Sequence, residues 1–151
     1  MLPASLHRHL YRLAHGARKQ VWKWRKPQVE GVRVLALDAQ GRVILIRHSY
    51  GSERWMLSGG GMGKGEDPVQ AGARELFEET GCRLDDAREI LISHEDLHGA
   101  SNVVHIVAGT TKDDPVPDGR EIVEAWAFAL DALPAPMPAG LADSIRQWVL
   151  L

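Results

Sequence analysis

Three glutamates near the middle of the chain have a spacing that could bind a metal ion. Glu75, Glu78 and Glu79 stand at positions i, i+3 and i+4 of a helix predicted from Val69 to Thr80. These positions share one helix face, where three carboxylates with only Arg74 beside them repel one another at neutral pH. Mg²⁺ or Mn²⁺ would relieve this repulsion, because both ions bind a few carboxylates together with water and phosphate oxygens. The spacing therefore predicts a divalent metal site, and an exposed acidic helix face is the alternative.

A longer pattern surrounds this helix. The chain follows G-x5-E-x7-R-E-U-x-E-E-x-G-U, where U is an apolar residue, at Gly60, Glu66, Arg74, Glu75, Leu76, Glu78, Glu79, Gly81 and Cys82. This pattern resembles the signature of the Nudix hydrolases, which are MutT-like pyrophosphohydrolases, and every fixed position is filled. The lead-in from Trp55 to Gly59 is also similar to that of the family. Many relatives have Pro where this chain has Ser58, a departure expected to loosen a turn or alter the entrance to the site without removing a metal ligand.

The resemblance implies a hydrolase that acts on a nucleoside diphosphate linked to another moiety. Water attacks one phosphorus of the pyrophosphate bridge, and bound Mg²⁺ or Mn²⁺ neutralises charge, orients the oxygens and acidifies a bound water. By the resemblance, Glu78 and Glu79 are metal ligands, while Glu75 is a third ligand or the base. Glu66 is expected to contact the metal through water. Arg74 is expected to pair with a carboxylate of the motif and hold it in position.

Residues outside the helix complete the predicted site. Many family members take a general base or ligand from a late loop, and the candidates here are Glu121 and Glu124. Glu121 is favoured because it lies nearer the loop, although either residue could be an ordinary charge on an edge strand. The Gly-rich stretch after Leu57 is predicted to be a loop whose backbone approaches phosphate. The predicted substrate-binding residues are Gly59, Gly60, Gly61, Lys64 and Arg47.

Two other motifs indicate different chemistry and are rejected. A phosphate-binding P-loop needs Gly where this chain has Ser58 and a hydroxyl residue where it has Gly65. The run from His94 to His98 is a literal H-E-x-x-H, which binds zinc when it lies on a helix. An apolar, strand-like run precedes it and Gly99 follows at once, so we expect these His side chains near the substrate rim or exposed.

The composition predicts one globular domain of ordinary type. The 151 residues are 44% hydrophobic and 25% charged, and the chain is long enough to bury a core. Cys82 is the single cysteine, so no intramolecular disulfide can form, and its place in the motif favours a small buried thiol. No apolar run is long enough to span a bilayer, and the start lacks a signal-peptide core. Together these features predict a cytoplasmic protein.

The net charge of −2 conceals a strong asymmetry along the chain. Residues 1–26 contain seven basic residues and no acid, which leaves eleven basic against twenty acidic residues elsewhere. Residues 1–27 are predicted to be a basic extension, helical from about Ser5 to Trp24, and residues 28–151 to be the hydrolase domain. The helix has one apolar stripe, formed by Leu6, Leu10, Leu13, Ala17, Val21 and Trp24. It could dock on its own domain or in a homodimer, lie on anionic membrane or RNA, or be a targeting or disordered extension.

The remaining chain alternates between strand and turn signals. The predicted strands are 31–37, 42–47, 55–57, 88–93, 103–109 and 124–130, with a polar turn around 98–102 and a final helix at 141–149. This order agrees with the fold that the resemblance implies, an α/β protein of α/β/α sandwich type with a mixed sheet, to which this chain adds the basic amphipathic helix.

The substrate is set by loops outside the motif, which we expect around 50–54 and 94–102. Oxidised nucleotide, nucleotide sugar, dinucleoside polyphosphate and capped RNA all fit the motif, and the basic extension favours RNA slightly. The competing prediction is a non-catalytic module that binds nucleotide or RNA. The complete acidic set argues against such a module, because a pure binder needs no clustered metal-binding face.

Overall fold

A six-stranded mixed sheet forms the centre of the protein. The computed structural model describes residues 29–50, 53–97 and 100–151, so the predicted N-terminal helix, the 1–27 extension and His98 lie outside the described residues. The strands are β1 (Val29–Leu37), β2 (Val43–His48), β3 (Met56–Gly61), β4 (Asp85–Leu97), β5 (Ala100–Thr110) and β6 (Ile122–Phe128). Their order in the sheet is β4-β5-β1-β3-β2-β6. Strands β1 and β5 run parallel, whereas β1 and β3 are antiparallel, which confirms the predicted mixed sheet.

Two helices cover the opposite faces of this sheet. Helix α1 (Pro68–Thr80) and helix α2 (Leu141–Trp148) are the helices of the described part of the chain. Successive side chains of a strand point to opposite faces, so β1 can contribute to two cores. Val34 packs with Leu76 of α1, whereas Leu35 packs with Ile145 of α2. The predicted sandwich is therefore confirmed.

Both ends of α1 are fixed by the residues that predicted them. The Asp67 carboxylate accepts a hydrogen bond from the Gln70 backbone N–H at 3.1 Å, and Pro68 occupies the first turn. Gly81 adopts φ of 73° and donates its N–H to the Phe77 carbonyl at 2.9 Å, which ends the helix. The helix that carries the glutamates is thus specified locally.

The Gly-rich stretch was predicted to be a loop, and this prediction is wrong for its first part. Ser58, Gly59, Gly60 and Gly61 lie in β3, in register with β1, so the substitution of Ser for Pro affects a strand and not a turn. Glycine is needed at position 59 because the backbone of Val32 lies very close to it. A Cβ on Gly59 would lie 2.1 Å from the Val32 carbonyl oxygen. The loop therefore begins after Gly61, the last residue of β3.

The later strands are confirmed with different bounds. Strand β4 runs to Leu97, so His94 lies on a strand, as expected for a motif that does not form a zinc-binding helix. Strand β5 already begins at Ala100, inside the predicted polar turn, because the β4–β5 pairing continues to the end of the hairpin. Among the described residues, no helix has the length and apolar character needed to cross a membrane.

Replacing Gly59 by Ala should destabilise the protein by more than about 2 kcal/mol, because the new methyl group would overlap the Val32 carbonyl. Gly61→Ala is the matched control, since a Cβ at Gly61 meets no atom within 4 Å. Urea unfolding of the two variants measures the difference. Equal unfolding midpoints would contradict the proposed packing of β3 against β1.

Candidate metal centre

Helix α1 does not present its three glutamates equally. Glu79 is 2% exposed and lies against β3. The Glu75 side chain is 15% exposed, whereas that of Glu78 is 56% exposed. Glu75 and Glu79 are one turn apart and face inward together, because i and i+4 positions lie above one another on a helix. Glu78 lies at the outer edge of this face, where its carboxylate is 3.4 Å from Arg74 Nη1.

The buried Glu79 carboxylate has only half of its hydrogen-bonding capacity filled. Its Oε1 accepts hydrogen bonds from the Ser58 hydroxyl and, at 2.9 Å, from the Gly59 backbone N–H. Its Oε2 is excluded from solvent and has no hydrogen-bond partner among the described residues. An ionised oxygen left in this state is costly, and a bound cation would compensate it.

The electrostatics of the site show the same deficit of positive charge. Burial, together with the negative charges of Glu75 and Glu121, raises the pKa of Glu79 to about 8, although the hydrogen bonds from Ser58 and Gly59 oppose this rise. Burial also raises the pKa of Glu75, although Arg74 opposes the effect. Closely spaced carboxylates that resist ionisation are a suitable environment for a divalent cation.

Two residues from other parts of the chain meet Glu79. Ligand atoms of His48, Glu79 and Glu121 all lie within 4.8 Å of one another. His48 ends β2 and is in register with Ile122 of β6, so Glu121 immediately precedes its strand partner. The Tyr50 hydroxyl donates a hydrogen bond to Glu121 Oε1. The structure therefore brings Glu121 to the helix glutamates and adds His48, which the sequence analysis did not identify.

Arg74 connects the loop before α1 to the inner face of the helix. Its Nε donates to Glu66 Oε2 at 3.0 Å and its Nη2 to Glu66 Oε1 at 3.0 Å, while Nη1 donates to Glu75 Oε1 at 3.1 Å. The Gly63 N–H also donates to Glu66 Oε1 at 3.0 Å. The hydrogen bonds from Arg74 lower the pKa of Glu66, and the Glu66 carboxylate raises the pKa of Arg74. This planar, two-pronged pairing fixes Arg74 and, through it, Glu75.

The remaining predicted residues lie around this centre. Glu124 forms an ion pair with Arg47 instead of joining Glu121, and the Arg47 guanidinium lies 5.5 Å from the centre of the Trp55 ring. Lys64 is exposed in the loop between β3 and α1. Gly60 lies beneath Glu75, because a Cβ there would be 2.7 Å from Glu75 Oε1. Arg47 therefore already has a carboxylate partner, whereas Lys64 lies on the surface.

In the metal-free protein, Glu79→Gln should increase stability at high pH. A folded-state pKa of about 8 lies above the ordinary value, so wild-type stability falls as pH rises from about 4.5 to about 8 and stays low above that. The neutral amide removes this loss, which is on the order of 5 kcal/mol for a pKa rise from about 4.5 to about 8. Thermal unfolding with a chelator at pH 5 and pH 9 measures it, with Glu78→Gln as control. An equal effect of Glu79→Gln at both pH values would contradict the burial of an uncompensated charge.

Comparison with known proteins agrees with this geometry. The protein-family model described as the NUDIX domain matches residues 27–149. The fold is similar to that of a MutT NUDIX hydrolase from Burkholderia pseudomallei, with a TM-score of 0.68 and 24% identity over 80% of this chain and 97% of the other. A MutT protein from Methanosarcina mazei Go1 gives a TM-score of 0.70 and 23% identity, covering 82% of this chain and 94% of the other.

Curated relatives match a shorter segment. An RNA pyrophosphohydrolase from Rhodospirillum rubrum is 39% identical over 57 residues, which are 38% of this chain and 34% of that protein. The RNA pyrophosphohydrolase from Pectobacterium atrosepticum is 44% identical over 57 residues, or 38% and 32% of the two chains. The match thus spans about a third of the length of these relatives. Because the NUDIX model covers most of the sequence, the chain belongs to the NUDIX domain family that its motif predicts.

Proposed function

We propose that this protein is a metal-dependent hydrolase that cleaves the pyrophosphate linkage of a nucleoside diphosphate derivative by attack of water at phosphorus. The observation that carries the proposal is the Glu79 carboxylate, which is 2% exposed and keeps one oxygen without a partner among the described residues. A domain that only bound nucleotide would not need the carboxylates of Glu75 and Glu121 close to this oxygen. The proposal follows from this unusual concentration of negative charge.

The donor set fits Mg²⁺ or Mn²⁺. Glu79 and Glu75 offer carboxylate oxygens on the inner face of α1, and the exposed Glu78 can turn toward the same ion. Both oxygens of Glu66 accept hydrogen bonds from Arg74, so Glu66 would contact the ion through water. When bound, the metal supplies neutralisation of the pyrophosphate charge and orientation of its oxygens.

Glu121 is the proposed general base. It comes from a segment outside the helix, lies within 4.8 Å of a Glu79 ligand atom, and accepts a hydrogen bond from Tyr50 that fixes its orientation. A carboxylate held in this way can take a proton from an attacking water. Glu124 is the weaker candidate, because its carboxylate is paired with Arg47. Arg74 is a positioning residue that restrains Glu75 while Glu66 holds the guanidinium.

The substrate phosphates are proposed to contact the surface formed by Gly60, Gly61 and Lys64, whereas the predicted contact Gly59 is buried in β3. The Glu75 carboxylate occupies the space that a side chain at Gly60 would need, so a phosphate that contacts this backbone would lie beside Glu75. Lys64 is exposed at the same end of the loop and offers a positive charge. Arg47 would contribute only if substrate competes with Glu124 for its guanidinium.

An RNA substrate carrying a terminal pyrophosphate is the first candidate. Support comes from the relatives named RNA pyrophosphohydrolase and from the seven basic residues within residues 1–26. These cations would attract the RNA backbone to a domain that is otherwise acidic. A nucleotide sugar is the alternative within the same chemistry, and the hydrolytic step would be unchanged.

Turnover should be detected when the full chain is given Mg²⁺ or Mn²⁺ and RNA with a terminal triphosphate, and a chelator should abolish it. Phosphate release, coupled to a pyrophosphatase where the product is pyrophosphate and to a phosphatase where the products are phosphate monoesters, also compares nucleotide sugar, dinucleoside polyphosphate and oxidised nucleotide. Glu79→Gln should reduce turnover roughly a thousandfold, since it removes a proposed ligand.

The matched control for this screen is Asp131→Asn, which alters an exposed carboxylate in the turn after β6. Its turnover should stay within about twofold of wild type. Absence of turnover on every substrate by folded, metal-loaded protein would overturn the hydrolase proposal in favour of a binding module. Wild-type rates in Glu79→Gln would overturn the role of that residue.

A further inference from the structure

His48 occupies a position that the motif does not account for. It is the last residue of β2, is half-buried, and lies opposite Ile122 in the β2–β6 pairing. A ring nitrogen of His48 lies within 4.8 Å of carboxylate oxygens of both Glu79 and Glu121. Three ligand-bearing side chains from β2, α1 and the segment before β6 therefore converge on one point. No single stretch of sequence contains this group.

A second observation indicates that this point is built for a ligand. The Glu79 carboxylate is almost completely buried, and its Oε2 has no hydrogen-bond partner in the part of the chain that the structure describes. Its neighbours Glu75 and Glu121 are acidic, so they cannot supply the missing positive charge. A cation bound by Glu79 and His48, next to Glu121, would do so, while accepting the imidazole as a ligand.

Tyr50 lies beside both His48 and Glu121. The rings of His48 and Tyr50 lie 5.3 Å apart, and the Tyr50 hydroxyl donates to Glu121. One tyrosine therefore contacts both His48 and Glu121.

We propose that His48 is a nitrogen ligand of the metal and that it makes the site prefer Mn²⁺ over Mg²⁺. Carboxylates and water suit Mg²⁺, which takes oxygen ligands, whereas transition-metal ions also accept imidazole. Three glutamates alone would discriminate only weakly between Mg²⁺ and Mn²⁺. The addition of one imidazole ligand increases the affinity for Mn²⁺ relative to Mg²⁺. This inference rests on the proposed function, because it concerns the same metal centre.

Pulsed electron paramagnetic resonance of the 151-residue chain loaded with Mn²⁺ tests the nitrogen ligand directly. Wild type should show nitrogen modulation from a coordinated imidazole, and ¹⁵N-labelled histidine should alter it. His48→Gln should lose this signal, while His94→Gln, which changes an exposed histidine on β4, should retain it. In calorimetric competition, the preference for Mn²⁺ over Mg²⁺ should fall by about tenfold or more in His48→Gln.

The inference is overturned if wild type lacks nitrogen modulation, if folded His48→Gln retains it, or if the metal preference does not change. Should His48→Gln fail to fold by circular dichroism, His48→Asn and the labelled wild type provide the same test. Turnover separates this inference from the hydrolase proposal. Turnover without nitrogen coordination refutes only the role of His48, whereas nitrogen coordination without turnover of any substrate refutes only the hydrolase.

Discussion

Glu79 places a carboxylate where water cannot reach it, and the arrangement around α1 depends on how that charge is compensated. Ser58 and the Gly59 backbone bind one oxygen, but the second oxygen has no partner among the described residues. The nearest ionisable groups include the acidic Glu75 and Glu121. Such a combination lowers the stability of the metal-free protein above the ordinary pKa of a carboxyl group, and a bound cation would restore it. Stability and the proposed metal binding would therefore depend on one electrostatic requirement.

The sheet satisfies this requirement by bringing together segments that are far apart in the sequence. Strand β2 brings His48 next to the residue that follows Glu121, and β3 brings Ser58 under α1. Glycine in β3 has two consequences: Gly59 allows β3 to pack against β1, and Gly60 leaves space for the Glu75 carboxylate. The small residues that were expected to serve phosphate binding thus also serve packing. Substitutions there should change stability before they change substrate recognition.

Local chemistry explains which parts were predictable from the sequence. The bounds of α1 follow from its caps, and the burial of Cys82 follows from an apolar position in the motif. The exposure of Glu78, the proximity of Glu121 to Glu79 and the pairing of Glu124 with Arg47 depend on the sheet around the helix. His48 was missed because only the long-range pairing of β2 with β6 brings it to the glutamates. A histidine at the end of a strand is the one local signal, and by itself it does not distinguish a ligand from a surface residue.

A crystal structure of the protein with Mn²⁺, in which an anomalous difference map locates the ion, tests the central claim most directly. The account predicts an anomalous peak within coordination distance of the Glu79 carboxylate, with Oε2 as a ligand. Full occupancy should appear at Mn²⁺ concentrations that leave exposed carboxylates such as Asp131 unoccupied. A peak only on exposed carboxylates, with Glu79 still buried and no ion beside it, would contradict the claim that its uncompensated charge forms the metal centre.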